Sequence, residues 1–213
     1  MTGTARGTVG YSVVLPPGWA QIPLDERAPR VVAGLVERAF DDVPPDVPPD
    51  TVATLRHRLE GHLARTLDAA RATGATELYL PTERIGGILV PASFVVVEHV
   101  PEQGLPEGVP AEETAVRLVA RWVADDADAR PVDVDGAPAV RTESRAEPDP
   151  DRTLGVRAAS RRVDYLVPVP DPSGRWLAIS CTVLEAADDT DDLAGLLVEL
   201  FDAVMTTFRW DAA

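Results

Sequence analysis

Few residues of this sequence have the types and spacing that catalysis or metal binding needs. His57 and His62 lie five residues apart in a predicted helix, whereas histidines that share a zinc ion on a helix are four apart and accompanied by an acid. His99 follows Glu98 at the end of a predicted strand. Neighbouring strand residues point to opposite faces, so adjacency does not make these two an acid–base pair.

Cys181 is the single cysteine of the chain, which excludes an internal disulfide and any site with several cysteine ligands. It lies in an alternating apolar stretch, and this position predicts a buried, unreactive thiol. No Cys-His pattern surrounds it, and no serine lies in a G-x-S-x-G sequence. Glycine-rich phosphate loops are absent too, because the pair Gly86-Gly87 stands alone.

The acidic run Asp188-Asp189-Thr190-Asp191-Asp192 invites comparison with a calcium loop. Such loops need a central glycine and a closing glutamate at fixed positions, and this run has neither. Acidic residues before a helix instead cap it and interact favourably with its dipole. We therefore predict no catalytic residue, no cofactor and no metal site. The alternative is a small-molecule enzyme whose site is assembled from scattered residues such as Glu83, Arg84 and His99.

The composition indicates a globular protein with an acidic surface. Of 213 residues, 45% are hydrophobic, and 35 acidic against 20 basic residues give a net charge of −15. Nucleic-acid binders carry basic patches that displace counterions from phosphates, and no basic run occurs here, so we expect no nucleic-acid partner. The chain also lacks the run of about 18 apolar residues that spans a bilayer and the apolar core of a secretory signal. We expect no membrane partner and a cytoplasmic location.

A strand, an acidic loop and a helix at residues 175–210 dominate the predicted fold. The strand has apolar residues at every second position, which is typical of a face on a core; these are Leu177, Ile179, Cys181 and Val183. The helix, over residues 191–208, has a wide apolar stripe that comprises Leu193, Leu196, Leu197, Leu200, Phe201, Val204, Met205 and Phe208. Neither element is stable alone, so we expect this helix to lie across a sheet that contains the strand.

Three further helices are predicted upstream. The first covers residues 31–40, and the second covers residues 50–73, with Asp50 as its N-cap and Gly74 ending it. The third covers residues 111–124. Its periodicity predicts that it buries one face, formed by Val116, by Leu118 or Val119, and by Trp122 or Val123.

The remaining strands include a pair at residues 77–80 and 88–99, and those of the C-terminal half are predicted to form an antiparallel meander. Apolar alternation marks strands at residues 10–15, 77–80, 88–99 and 156–169. Asp135-Gly136 joins two more strands, because this pair favours the type I′ turn of a hairpin. Trp19 is expected to fill the edge of the core, with stacking on a ligand as the alternative.

The order of these elements resembles that of the PsbP-like superfamily. The likeness covers most of the chain and rests on five stretches: LPPGW at 15–19, VDGAPAVR at 134–141, VDYLVPV at 163–169, GRWLAISCTV at 174–183 and FDAVMTTFRW at 201–210. The resemblance implies an antiparallel sheet flanked by helices and used mainly for binding proteins. Some bacterial members of the superfamily look like adaptors or chaperones for secreted effectors. No catalytic residue carries over from it.

We therefore expect one α+β domain over residues 1–213, with about six to seven antiparallel strands packed against helices. A helical insertion is expected at residues 25–73. The expected function is a non-enzymatic protein-binding or accessory module, adaptor-like or chaperone-like, in a bacterial cytoplasmic system. Its partner would be another protein. A self-associating structural protein is the second alternative, beside the enzyme with scattered residues, and a homo-oligomer stays open.

Overall fold

The described residues of the computed structural model have an α+β fold, as the sequence predicts. Seven strands form one antiparallel sheet, and two short strands form another. The described residues divide into two compact units, one spanning Pro17–Glu98 and one made of Met1–Pro16 with His99–Ala213. The single domain with an insertion at residues 25–73 stays a prediction. The description covers residues 9–84, 87, 90–99, 111–147, 158–171, 174–185 and 192–211.

Five elements build the unit that spans Pro17–Glu98. They are β2 (Trp19–Pro23), α1 (Ala28–Ala39), α2 (Pro49–Ala72), β3 (Ala75–Pro81) and β4 (Ala92–His99). The strands pair antiparallel in the order β2-β3-β4. Residues of both helices join β2 and β3 in one apolar core, which contains Ile22, Leu24, Ala28, Leu35, Leu67, Ala75 and Leu78.

The start of α2 differs from the prediction. The N-cap is Pro48 and the helix begins at Pro49, where the fixed φ of proline suits the first helical position and its missing N–H is no loss. Asp50 therefore lies in the first turn, where its charge complements the helix dipole, and it is not the N-cap. Gly74 follows the helix with a φ of 80°, as predicted for its end.

Two further expectations for this unit were incomplete. The sequence did not predict β2, because Pro16-Pro17-Gly18 before Trp19 indicated a turn; the turn is present, with Gly18 at a φ of 79°, and a strand follows it directly. β4 begins after Pro91, so the proline precedes the strand and does not interrupt its hydrogen-bond ladder.

The second unit contains a four-stranded antiparallel arrangement in the order β5-β6-β7-β8. Its elements are β1 (Tyr11–Ser12), α3 (Ala111–Asp125), β5 (Arg130–Val134), β6 (Ala137–Ala146), β7 (Ser160–Pro168), β8 (Trp176–Leu184), α4 (Asp192–Thr206) and β9 (Arg209–Trp210). β1 pairs antiparallel with β9, with Tyr11 opposite Trp210. The predicted hairpin is confirmed, because Asp135 and Gly136 have φ values of 53° and 77°, as a type I′ turn requires.

α3 and α4 pack on opposite faces of these four strands. On one face, Ala115 and Val119 of α3 share a core cluster with Val140 of β6. On the other face, the ring of Phe201 of α4 meets that of Tyr165 of β7, with centroids 5.6 Å apart. Tyr165 pairs with Arg141 rather than Val140, so the two contacts lie on different faces of the pleated strands.

The buried face of α4 is rotated from the predicted stripe. Ala194 and Val198 are buried, together with Leu197, Phe201 and Met205. Leu196 is 60% exposed, and Leu200 is only partly buried. The predicted stripe contains these two because it follows the leucines, whereas the small Ala194 is buried in the structure. The helix itself ends at Thr206, so Phe208 lies beyond it.

Val116 of α3 was predicted to be buried and is 52% exposed. Ala115 and Val119, four residues apart on one helix face, are buried instead. Leu118, Trp122 and Val123 are partly buried against the same cluster. The apolar pattern favours the larger Val116, whereas the smaller Ala115 is the residue that is buried.

Several predicted features lie outside the described residues. They are Gly86 of the Gly86-Gly87 pair, residues 88–89 and 156–157 of two predicted strands, and residues 188–191 of the acidic run. The sequence also places a chain terminus at 1–8, a Pro-rich stretch at 101–110, and loops at 148–153 and 172–173, and these lie outside the described residues too.

We predict that Leu197→Ala destabilises the protein by about 2–4 kcal/mol, because it leaves a cavity under α4. Leu197 is 8% exposed, whereas its neighbour Leu196 is 60% exposed. The matched control Leu196→Ala should therefore change the free energy of unfolding by less than about 0.5 kcal/mol. Urea unfolding followed by circular dichroism measures both. Equal losses for the two variants would show that α4 packs on a different face.

Candidate functional site

The residues with the chemistry of catalysis or metal binding do not converge. His57 and His62 are exposed along α2, and His99 is exposed at the end of β4. Within the described part of the chain, no group of three or more His, Cys, Asp or Glu residues is placed to hold a metal ion. Of the acidic run, only Asp192 is described, as the first residue of α4.

Glu83 and Arg84, proposed for the scattered-residue site, are exposed in the loop after β3. Nη1 of Arg84 donates to the carbonyl of Gly87, 3.2 Å away. β3 ends at Pro81, and its first residue, Ala75, pairs with Val97 near the end of β4. Glu83 and His99 therefore follow opposite ends of the β3–β4 pair.

Cys181 is buried on β8, as the alternating pattern predicts. Burial, together with the nearby charges of Asp202 and Asp164, raises the pKa of its thiol to about 12. A thiol with this pKa carries almost no thiolate near neutral pH, and the thiolate is the nucleophilic form. The residue packs as part of the core.

An apolar groove in the second unit is a candidate site for binding another molecule. Its volume is about 460 Å³, within the roughly 300–1,000 Å³ range of ligand sites. We call it the Trp210 groove. Its lining consists of Glu112, Ala115, Asp135, Gly136, Ala137, Pro138, Pro168, Val169, Pro170, Asp171 and Trp210.

Four elements bring these residues together. The first turn of α3 contributes Glu112 and Ala115, and the β5–β6 turn contributes Asp135. Oδ2 of Asp135 accepts a hydrogen bond from the backbone N–H of Trp210 at 2.9 Å. This contact ties the hairpin turn to β9, which comes 75 residues later. Asp171, in the loop after β7, is held by Nη2 of Arg175 at 2.6 Å.

The groove offers acceptors more than donors. Pro138, Pro168 and Pro170 have no backbone N–H, so these positions present no main-chain donor. Three of the lining side chains are carboxylates, and no basic side chain lines the groove in the described part of the chain; the three are Glu112, Asp135 and Asp171. The groove therefore suits a ligand that combines an apolar body with positively charged donors.

The Trp210 side chain has one polar atom without a partner. Its Nε1 is buried and has no hydrogen-bond acceptor among the described residues. The ring packs edge-on against Phe208, with centroids 5.0 Å apart. An unmade hydrogen bond of this kind costs roughly 1–3 kcal/mol, so burial of the ring in the aromatic cluster has to offset it.

Sequence reasoning treated every part of this groove as a fold feature. Asp135-Gly136 predicts a hairpin turn, and Trp210 ends the 201–210 stretch that contributes to the resemblance to the PsbP-like superfamily. The sequence feature that could have indicated this groove is the set of prolines near the ends of strands, namely Pro138, Pro168 and Pro170. That signal became informative only when the pairing placed Pro138 and Pro168 on neighbouring strands.

Comparisons with known proteins inform the fold and leave the function open. No protein-family model and no curated protein matches this chain. Among solved structures, the chain is similar to LpqN, described as involved in cell envelope biogenesis of Mycobacterium tuberculosis. The TM-score is 0.50 at 10% sequence identity, and the match covers 98% of this chain and 87% of LpqN. This likeness concerns the fold alone, and the resemblance to the PsbP-like superfamily stays a prediction.

The described helices do not meet the requirements of a membrane span. None of them combines the length and the apolar character that crossing a bilayer demands.

We predict that thiol reagents modify Cys181 of the folded protein at least about 100-fold more slowly than a free thiol at about pH 8, because the raised pKa and burial both suppress the reactive thiolate. Denaturant should restore the full rate. As an internal control, Glu37→Cys adds an exposed thiol on α1, so this variant should show one fast and one slow reaction. Rapid modification of the folded wild type would contradict the buried position.

Proposed function

We propose that this chain is a non-enzymatic binding module with an accessory role, which holds a segment of another protein in the Trp210 groove. The observation that carries the proposal is an apolar groove of about 460 Å³ whose lining includes three carboxylates. Its occupant, in this proposal, is a polypeptide segment in which an aliphatic or proline side chain stands next to Lys or Arg.

The charge of the chain supports a cationic partner. The net charge is −15, and a strongly acidic protein attracts basic partners over distance and raises their association rate. At the groove, Glu112 is exposed at the start of α3. It is therefore available to a Lys or Arg of the partner, whereas Asp171 is already paired with Arg175.

Hydrogen-bonding chemistry supports a polypeptide rather than a purely apolar ligand. Extended peptides and Lys or Arg side chains bring N–H donors, which the proline-lined wall does not supply for itself. Grooves lined by aromatic side chains are a common way to hold proline-rich segments. Trp210 and Pro170 would provide that surface here.

The fold comparison supports an accessory role only by analogy, because function depends on sites rather than on folds. The cytoplasm is the compartment that we propose from the sequence. The likeness to LpqN, with its described involvement in cell envelope biogenesis, makes the envelope the alternative. Fractionation of the native host with an antibody to this chain distinguishes the two.

The proposal is tested by selecting peptides from a random phage-displayed library on the immobilised protein. We expect enriched peptides to place Lys or Arg next to Leu, Val, Ile or Pro. Their affinity, measured by calorimetry, should fall in about 0.5 M salt, where charges are screened within about 4 Å. Glu112→Arg should weaken binding about tenfold, which corresponds to roughly 1.4 kcal/mol.

The matched control is Glu37→Arg, which makes the same charge change at an exposed position on α1. Its affinity for the selected peptides should stay within about twofold of the wild-type value, since the substitution changes only the long-range electrostatic field. Pro170→Asp tests the apolar wall at an exposed position. Failure to enrich any basic peptide, or full binding by both Glu112→Arg and Pro170→Asp, would overturn the proposal.

A further inference from the structure

A second concavity in the same unit has the opposite chemistry. This arginine cleft has a volume of about 570 Å³ and is lined by residues of β5, β6, β7 and the segment before β5. It shares no described lining residue with the Trp210 groove. Four of the 20 basic residues of the chain line it, against two acidic residues. The four are Arg130, Arg141, Arg145 and Arg161.

Strand register explains why the arginines meet. Arg130 lies directly opposite Arg141 across β5 and β6, and Arg145 lies directly opposite Arg161 across β6 and β7. Because Arg141 and Arg145 are separated by an even number of residues, they share a face of the sheet. Like charges placed directly opposite each other destabilise a sheet. Two such pairs side by side therefore need compensation.

A buried ionic network compensates the first pair. Arg141 is only 4% exposed. Its Nε and Nη2 donate to Oδ1 and Oδ2 of Asp202 at 2.7 and 3.0 Å, and Nη2 also donates to Glu143 at 2.9 Å. The hydroxyl of Tyr165 donates to the same Asp202 at 2.7 Å.

The network keeps Arg141 charged and fixes its orientation. Burial by itself lowers the pKa of the guanidinium, but the hydrogen bonds to Asp202 and Glu143 outweigh burial and raise that pKa. Burial, followed by the hydrogen bond to Asp202, raises the pKa of Tyr165 far above its ordinary value, so its hydroxyl stays protonated and donates. Asp202 thus accepts hydrogen bonds from both Arg141 and Tyr165 and fixes the orientation of the guanidinium plane.

The fixed guanidinium has donors left over. The hydrogen bonds from Arg141 to Asp202 and Glu143 use Nε and Nη2 and not Nη1, and Arg141 lines the cleft. A guanidinium has five N–H donors in a rigid fork, which matches the oxygens of a phosphate or carboxylate. A buried and fully charged arginine with unused donors at a cleft wall is a preorganised anion anchor.

Exposed arginines flank this anchor. The Arg145 and Arg130 side chains are 57% and 58% exposed. Arg145 and Arg161 both contact Glu185, at 2.7 and 2.8 Å, and the hydrogen bond from Arg161, reinforced by that from Arg145, lowers the pKa of this carboxyl. One carboxylate therefore orients two guanidinium groups at the cleft.

We propose that the arginine cleft binds an oxyanion, the phosphate or carboxylate group of a small molecule. Arg141 is the buried anchor, and Arg145 and Arg130 close on the anion from the exposed side. Asp202, Glu143 and Tyr165 position Arg141 and do not touch the ligand. This site is independent of the peptide-binding groove, so each assignment stands or falls by its own experiment.

The experiment titrates the full chain, at constant ionic strength, with inorganic phosphate, phenyl phosphate, acetate and succinate. Binding is followed by calorimetry and by the NMR signals of the arginine Nε–H groups. We expect at least one of these probes to bind with a Kd below about 1 mM and to shift the signal of Arg141. Preference for the phosphates or for the carboxylates identifies the class of ligand.

Two variants with the same charge change distinguish binding in the cleft from a general electrostatic effect of the protein's charge. Arg145→Gln removes an exposed clamp and should weaken binding at least tenfold with an unchanged melting temperature. Arg162→Gln is the control, because Arg162 is equally exposed, at 57%, is adjacent to Arg161, and therefore points to the other face of β7. It should leave affinity within twofold.

Arg141→Lys keeps the charge but loses the planar fork, so binding should fall while the ion pair to Asp202 maintains the fold. Absence of binding by all four probes would overturn the proposal. Equal losses of affinity in Arg145→Gln and Arg162→Gln would overturn it too. The anion would then respond only to the net charge of the protein and not to the cleft. A network that serves stability alone predicts a lowered melting temperature for Arg145→Gln and no probe binding.

Discussion

The second unit depends on the requirement that β8 be covered on both faces. Trp176 and Ser180 are buried on one face of this strand, and Ile179 and Cys181 are buried on the other face. Burying apolar side chains on both faces removes more of their surface from water than burying one face. α3 covers one side through a cluster that includes Trp176, and α4 covers the other through Phe201. α3 and α4 therefore lie on opposite faces of the strands in this unit.

Charge placement adds a second constraint on α4. Apolar contact lets a helix slide or rotate by small amounts, whereas the buried guanidinium of Arg141 requires a carboxylate at hydrogen-bond distance. Asp202 supplies it from α4 at 2.7 Å. The same contact sets the helix on the sheet and points the unused edge of Arg141 towards the cleft. Fold stability and the proposed binding surface thus depend on the same interaction.

Local signals in the sequence predicted local structure well. Asp135-Gly136 formed the expected turn, because only a few residue types adopt positive φ at low cost, and Gly74 ended its helix for the same reason. The burial pattern within helices was predicted less well. Leu196 and Val116 carry strong apolar signals and are exposed, while the smaller Ala194 and Ala115 are buried. Which face of a helix is buried depends on the shape of the surface that it meets, and periodicity alone does not contain that shape.

By itself, the sequence determined the α+β class, the antiparallel hairpins, the acidic charge and the inert environment of Cys181. These follow from turn chemistry, residue periodicity and composition, which act between neighbours in the chain. Only the tertiary structure decided where binding surfaces form. The Trp210 groove needs Asp135 to meet a residue 75 positions later, and the arginine cleft needs Arg141 to meet Asp202, 61 positions away. Contacts over such separations arise from strand register and helix packing, because these set distances that spacing along the chain does not encode.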